Sequence, residues 1–175
     1  AIAALANERT RVVWIANPNN PTGTWLDSDS LYSFLADLPE TCVAVVDEAY
    51  IEYVEEPDYP DASLWLERFP NLIVTRTFSK VHGLAALRVG YGLSHAHIAD
   101  LLNRARQPFN VNSIAQAAAI AALADEAHVR ASLELNRRGM RQMEEGARKL
   151  GLCYIPSVGN FITIDLGRPA GPIDQ

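Results

Sequence analysis

The chain has 175 residues, of which 49% are hydrophobic and 21% charged, near the average for a globular protein and far from a disordered one. Acidic residues outnumber Lys and Arg by 21 to 15, and a net charge of -6 with a pI near 5.2 argues against a phosphate-tracking nucleic-acid surface. No apolar run reaches the roughly eighteen residues of a membrane span, and AIAALANERTR at the start lacks the basic region and long apolar core of a signal peptide. Two cysteines, Cys42 and Cys153, make neither a secreted disulfide framework nor a zinc site. The expectation is a reduced, cytoplasmic α/β protein with no membrane or nucleic-acid partner.

Short apolar runs alternate with helical patterns, which predicts βαβ units and a mainly parallel sheet. Residues 11–16, RVVWIA, read as a buried strand stopped by the turn NPNNPTG at 17–23. Asp27 or Asp29 can cap the helix that follows, where Leu31, Phe34, Leu35 and Leu38 form one apolar face. Residues 42–46, CVAVV, give a second strand without polar alternation, so both its faces are expected to be covered. A third strand is expected at 71–77 and a weaker fourth at 88–93.

The second half is helical. Ser94 is expected to cap a helix to about Arg104, with Ile98, Leu101, Leu102 and Ala105 facing in. Pro108 interrupts it, and Asn112 can cap the Ala-rich run 113–124. A long amphipathic helix follows from about 125 to 150. Its Val129, Leu133, Asn136, Met140, Met143, Ala147 and Leu150 make a single seam for packing on the domain, and Gly151 suits the C-terminal cap. Residues 153–155 and 160–164 read as strands, and 168–175 as loop.

Of the fifteen basic residues only Lys80 and Lys149 are lysines. Lys149 stands near a helix end, where a cation suits the dipole. Lys80 ends Thr77-Phe78-Ser79-Lys80, just past an apolar strand. A lysine so placed can lose solvation, which frees the neutral amine for Schiff-base chemistry. The hydroxyls of Thr77 and Ser79, with the Arg88 guanidinium, can together bind a phosphate; the plainer alternative for Lys80 is a loop cation. Asp47 in VVDEAY stands at the carboxyl end of a parallel strand, where doubly wound sheets bind ligands. There it can hold a protonated nitrogen, with Tyr50 reaching a neighbouring oxygen; the alternative is a cap for the next segment. Asn20 in NPNNPTG supplies a neutral donor that a rigid turn alone does not require. His95 and His97, with Asp100 nearby, read as exposed residues at a helix start, so no metal is expected. His82, within the Lys80 loop, reads as a packing or solvent-facing residue, the alternative being an approach to a ligand bound at Lys80. Glu55, Glu56, Asp58 and Asp61 read as a solvated loop.

Together NPNNPTG, VVDEAY and TFSKVHGLAALRVGYG resemble the fold-type I pyridoxal-phosphate aminotransferases of classes I and II. The stretch from Leu84 through RVGYGLS to RQPFNVNSIAQAAAIAAL is most similar to the histidinol-phosphate aminotransferases among them, and the similarity runs from about residue 11 to 164. The resemblance implies an α/β fold made of a partial PLP-transferase large domain (1–124), a connecting helix (125–150) and the beginning of a small domain (151–175). In it the strand at 88–93 would run antiparallel. Pyridoxal 5'-phosphate is the implied cofactor. Lys80 would bond it and then move protons, Asp47 would pair with its ring nitrogen, and Asn20 and Tyr50 would bind its ring hydroxyl oxygen. Thr77, Ser79 and Arg88 would bind its phosphate, and Asn160 in GNF would face the substrate.

The implied reaction is amino transfer between histidinol phosphate and 2-oxoglutarate in a cytoplasmic homodimer, with a small-molecule amino donor and a 2-oxo acid as partners. A phosphothreonine decarboxylase or an aromatic aminotransferase shares the motifs. The non-catalytic alternative is an aminotransferase-like effector-binding domain of a regulator. The intact NPNNPTG and FSK favour catalysis. Family members extend beyond both ends, so the chain is expected to be a piece. It would lack the ring-stacking aromatic, the small-residue phosphate loop and the arginine that grips the substrate carboxylate, and alone it would be inactive and self-associating.

Overall fold

Strands β1 (Val12–Ala16), β2 (Val43–Asp47), β3 (Leu72–Thr77) and β4 (Gly90–Ser94) lie side by side in that order in a computed structural model that describes residues 2–168. The first three run parallel and β4 antiparallel, as the resemblance implies. Of the loop expected at 168–175, residues 169–175 lie outside the described residues. The register sets Ala16 beside Asp47 and Asp47 beside Thr75, so β1 and β2 end level and β3 runs two residues further, to Thr77.

Side chains alternate across a strand, and here the two faces have separate work. Ile15, Ala44, Val46, Leu72 and Val74 point one way and join Leu31, Leu35 and Leu38 in one core. Helix α1 (Ser28–Ala36) delivers Leu31 and Leu35, and Leu38 follows just past its C-terminal cap. Asp27, not Asp29, is its cap, accepting the Ser30 N–H at 2.7 Å. Each fully buried leucine contributes about 1.5–3 kcal/mol. Ala44, Val45 and Val46 of β2 are all buried, as its unbroken apolar run predicts. β1 departs from expectation: Val12 and Trp14 are 56% and 62% exposed. Among the described residues it is an edge strand, paired on one side only.

Helix α2 (Ala96–Ala105) is not capped by Ser94, which β4 uses in its ladder opposite Ile73; His95 takes the cap position without a side-chain bond. Only Ile98 of its expected inward face is buried, while Leu101 and Leu102 are exposed. Helix α3 (Ser113–Ala124) is capped by Asn112, which accepts the Ala115 N–H at 2.8 Å. Its Ala115 and Ala119 pack on Phe78 and Val89 in a second cluster. Helix α4 (Glu126–Lys149) buries Ala147 and half-buries Val129, Leu133, Asn136 and Met140, but Met143 and Leu150 of the expected seam are exposed. Gly151, at φ +67°, turns the chain in the left-handed region. The Leu152 N–H then reaches the Ala147 carbonyl at 2.9 Å, and the Gly151 N–H reaches that of Arg148 at 3.1 Å. Cys42 is buried and Cys153 exposed, both as free thiols. Among the described residues no helix is long and apolar enough to cross a membrane.

Strands β5 (Cys153–Ile155) and β6 (Thr163–Asp165) form an antiparallel ribbon. β6 starts later than the expected residue 160. β5 stops at Pro156, so the ladder begins only where Thr163 meets Ile155. The freed segment turns instead toward the main sheet. The Val158 N–H donates to the Gly23 carbonyl at 3.1 Å, and the Thr163 hydroxyl donates to that of Pro21. Gly23 is required twice over: its φ is +72°, and a Cβ there would stand 1.9 Å from Ser157 Oγ.

The strand ends are pinned by a buried ion pair. Glu48 follows β2 and is 1% exposed. One of its oxygens accepts the Ala62 N–H at 2.9 Å; the other accepts Nε and Nη2 of Arg76, at 2.9 and 2.7 Å. Arg76 also donates to Asp61 at 2.6 Å. The acidic stretch is therefore more than a solvated loop, since Asp61 joins this cluster and Glu55 pairs with Arg137 of α4 at 2.8 Å. Burial pushes the Glu48 carboxyl up from its usual range, against the pull of the Ala62 and Arg76 donors. Removing one member strands the other, at a typical cost of about 3–5 kcal/mol. Glu48→Ala is accordingly expected to lower stability by about that much in denaturant unfolding, and a loss under about 1 kcal/mol would show the pair to be dispensable.

Candidate functional site

Seven residues singled out from the sequence line one cavity of about 530 Å³ at the carboxyl ends of β1, β2 and β3: Asn20, Asp47, Tyr50, Thr77, Ser79, Lys80 and Arg88. The topology explains the gathering. Asp47 ends β2 beside Thr75, and Thr77, two residues on, faces the same way. Among the described residues the Asp47 carboxylate caps no helix: the 3-10 turn Ile51–Tyr53 starts from Tyr50 without a side-chain cap, which sets aside the capping alternative. Asn20 comes from the turn after β1, and its Nδ2 donates to the Tyr50 hydroxyl at 3.0 Å. Both X-Pro bonds of that turn, Asn17-Pro18 and Asn20-Pro21, are cis. Tyr50 is buried, with Phe161 edge-on at 5.1 Å and Lys80 Nζ over its ring at 5.0 Å.

Thr77 Oγ1 accepts the Ser79 N–H at 3.1 Å, which folds the chain sharply just before Lys80. Arg88 is exposed, in the left-handed region at φ +51°, with Nη1 on the Ala85 carbonyl at 2.8 Å. The wall therefore carries an acid, an amide–phenol pair, two hydroxyls, a guanidinium and an amine. Such a set suits a ligand with a basic nitrogen, a phenolic oxygen, a phosphate and an electrophilic carbon.

Asn160 lies elsewhere, lining a second cavity of about 450 Å³ with Tyr53, His128 and Asn136; Lys80 alone of the seven also reaches it. Sequence reasoning passed over three groups. Thr75 lines the cavity; the signal available was strand alternation, which puts it on the same face as Thr77. Trp14 lines the same cavity from β1, a strand expected to be buried. His128 of α4 left no sequence signal, because its contact with the Lys80 loop is purely tertiary. His95 and His97 face each other through Nδ1 atoms 2.8 Å apart, both exposed. No group of three or more His, Cys, Asp or Glu is gathered for a metal among the described residues.

A mainly parallel sheet with a lysine, an acid and an arginine at its carboxyl edge defines the class, and the family comparison agrees. The chain matches the family described as aminotransferase class I and II over residues 1–172, and it belongs to that family. It is 59% identical, over all 175 residues, to a protein named histidinol-phosphate aminotransferase 2 from Pseudomonas fluorescens (strain Pf0-1), covering 47% of that protein. With a protein of the same name from Methylococcus capsulatus it shares 62% over 164 residues, 94% of this chain and 44% of that one. Its fold superposes with a TM-score of 0.89 on the crystal structure of histidinol-phosphate aminotransferase from Sinorhizobium meliloti in complex with pyridoxal-5'-phosphate, at 38% identity, covering 96% of this chain and 45% of that one. The chain thus spans about half the length of the curated relatives it matches.

The family depends on pyridoxal phosphate, and the residues here fit that group. Thr75 Oγ1 is buried without a hydrogen-bond partner among the described residues and belongs to the cavity lining. A buried hydroxyl left unpaired costs about 1–3 kcal/mol, and a polar ligand seated against it would relieve it.

His82, two residues past Lys80, is packed as expected, tilted on Phe78 at 5.1 Å with Nε2 3.7 Å from Glu52. Burial, with His128 nearby, pushes its pKa below the ordinary 6.5. The unfolded chain therefore takes a proton below about pH 6.5 that the folded protein refuses, so stability falls as pH drops from there toward the lowered value. Glu48 and Glu52, raised by burial, act in the opposite sense, so the variant must be compared with the unchanged protein. His82→Gln is expected to flatten the acid-side loss in unfolding midpoints measured between about pH 6.5 and 5; identical pH profiles for the two proteins would contradict it.

Proposed function

We propose that this chain carries the cofactor-holding core of an aminotransferase that moves an amino group between histidinol phosphate and 2-oxoglutarate, a step of histidine biosynthesis. The observation that carries the reading is the meeting of Lys80, Asp47 and Arg88 in one cavity at the ends of three adjacent strands. Identity of 57–62% with relatives named histidinol-phosphate aminotransferase supports this amino donor over a phosphothreonine or an aromatic amino acid. The division into a partial large domain (1–124), a connecting helix (125–150) and the start of a small domain (151–175), a homodimeric assembly and a cytoplasmic location belong to the same proposal.

Bound in the cavity, pyridoxal phosphate supplies the electron sink for deprotonation at the amino-bearing carbon. Asp47 would hold a protonated ring nitrogen by a charge-assisted bond. Asn20 Nδ2 and Tyr50 Oη, already 3.0 Å apart, would share the phenolic oxygen. Arg88 would bear most of the phosphate's charge, with Thr77 and Ser79 completing the set, since charge-assisted bonds are roughly twice as strong as neutral ones. Lys80 Nζ would hold the group covalently, and once displaced by the substrate amine would move the proton as base and then acid. Asn160, across Lys80 in the second cavity, would face the substrate.

In the full-length protein carrying this chain, Lys80→Ala is expected to remove both the visible absorbance of bound cofactor and steady amino transfer from histidinol phosphate to 2-oxoglutarate with cofactor in excess. An unchanged absorbance band would sink the assignment. Asp47→Asn should retain some cofactor but lose at least roughly tenfold in the half-reaction, because a charge-assisted bond contributes about 1.5–3 kcal/mol. A rate equal to that of the unchanged protein would reduce Asp47 to a bystander.

A further inference from the structure

The loop that carries Lys80 is held from behind by a residue the reaction itself does not use. Val81 is buried, and its carbonyl lies 3.1 Å from Nε2 of His128. A carbonyl only accepts, so Nε2 must carry the proton and donate it. His128 stands in the first turn of α4, and its backbone N–H is fixed by the Asp125 carboxylate at 3.0 Å, so the ring rides on a capped helix end. The residue is otherwise exposed; Ser132 Oγ lies 3.4 Å from Nε2, and a Cβ on Gly83 would stand 3.8 Å from it, an ordinary contact. Within the loop, the Gly83 N–H closes on the Lys80 carbonyl at 2.9 Å and the Leu84 N–H on that of Phe78 at 2.9 Å. The His128 bond is thus the tie that joins this small turn to α4. It acts one peptide from Lys80, whose Nζ stands over the Tyr50 ring where the two cavities meet.

We propose that His128 is a positioning residue for Lys80: by donating to the Val81 carbonyl from α4 it fixes the turn that aims Nζ into the cofactor cavity. The inference rests on the reading of Lys80 as the reacting amine, and the two can fail separately. The test uses the protein carrying this chain, with pyridoxal phosphate as the probe. Amide hydrogen exchange is followed over residues 78–84 and over β2, and the rate of Lys80 modification is read by borohydride trapping and peptide mass. Loss of one net hydrogen bond shifts a local opening roughly two- to tenfold. His128→Ala should therefore speed exchange in the loop by about that factor and slow Lys80 modification comparably, while β2 exchange stays unchanged. His128→Gln, whose amide nitrogen falls near the position of Nε2, should restore both. Unchanged loop exchange and trapping in His128→Ala, no rescue by Gln, or an equal quickening in β2 would each overturn the proposal. If Lys80→Ala traps as much cofactor as the unchanged protein, it is the reading of Lys80 that fails.

Discussion

The carboxyl edge of the sheet depends on Glu48, a charge placed where water cannot reach it. A buried carboxylate is tolerated only when its lone pairs are filled. Here the Ala62 N–H and two N–H groups of Arg76 fill them. The consequence for the site is positional. Glu48 directly follows Asp47, while Arg76 lies between Thr75 and Thr77, so by alternation its side chain leaves the other face of β3 toward Glu48 and Asp61, though part of the residue still lines the cavity. Tying Glu48 to Arg76 therefore clamps the ends of β2 and β3 from beneath, and the residues that line the cavity stand on the clamped backbone. The pair need not add net stability over an apolar alternative to do this, since what it fixes is the relative placement of two strand ends.

The turn after β1 serves two faces at once. Toward the sheet it presents Asn20 to Tyr50; toward the ribbon it offers the Pro21 and Gly23 carbonyls to Thr163 and Val158. Phe161, between those two contacts in sequence, lies edge-on to Tyr50. The ribbon, the turn and the phenol are thus one packed unit, and a shift of residues 157–163 relative to the sheet would be felt at the Asn20–Tyr50 pair. Asn136 on the α4 seam closes the circuit by donating to the Gly159 carbonyl at 3.2 Å. The polar residue that weakens the seam as an apolar stripe is the one that holds the ribbon.

Much of this was legible in the sequence, for local reasons. β1 through β3 stand out as apolar runs cut by turn residues, and Asn112 and Gly151 end their helices by chemistry confined to a few neighbours. Asn20, Asp47, Tyr50, Thr77, Ser79 and Lys80 were legible because each sits at or shortly after the carboxyl end of a strand, where chain order predicts convergence. What escaped depended on distant partners. Ser94 has the chemistry of a cap but is taken by the β4 ladder. Leu101 and Leu102 repeat at helical spacing, yet only Ile98 finds a surface. Glu48 sits beside Asp47 in the sequence and shares its charge; only the alternation of the strand and the position of Arg76 separate a buried clamp from a cavity acid.

Alternation also explains why so plain a sheet can carry so much chemistry. On the face toward α1 the strands are apolar up to Arg76 near the end of β3, and this face carries the main core. On the other face the same strands are apolar only until their last residues, where Ala16, Asp47, Thr75 and Thr77 line the cavity. A one-residue slip of register would exchange the two faces and bury Asp47 in the leucine core. The penalty for an unpaired carboxylate there, several kcal/mol by any measure, is a strong constraint against that slip. The acid that serves the site thus also helps to fix the register on which the site is built.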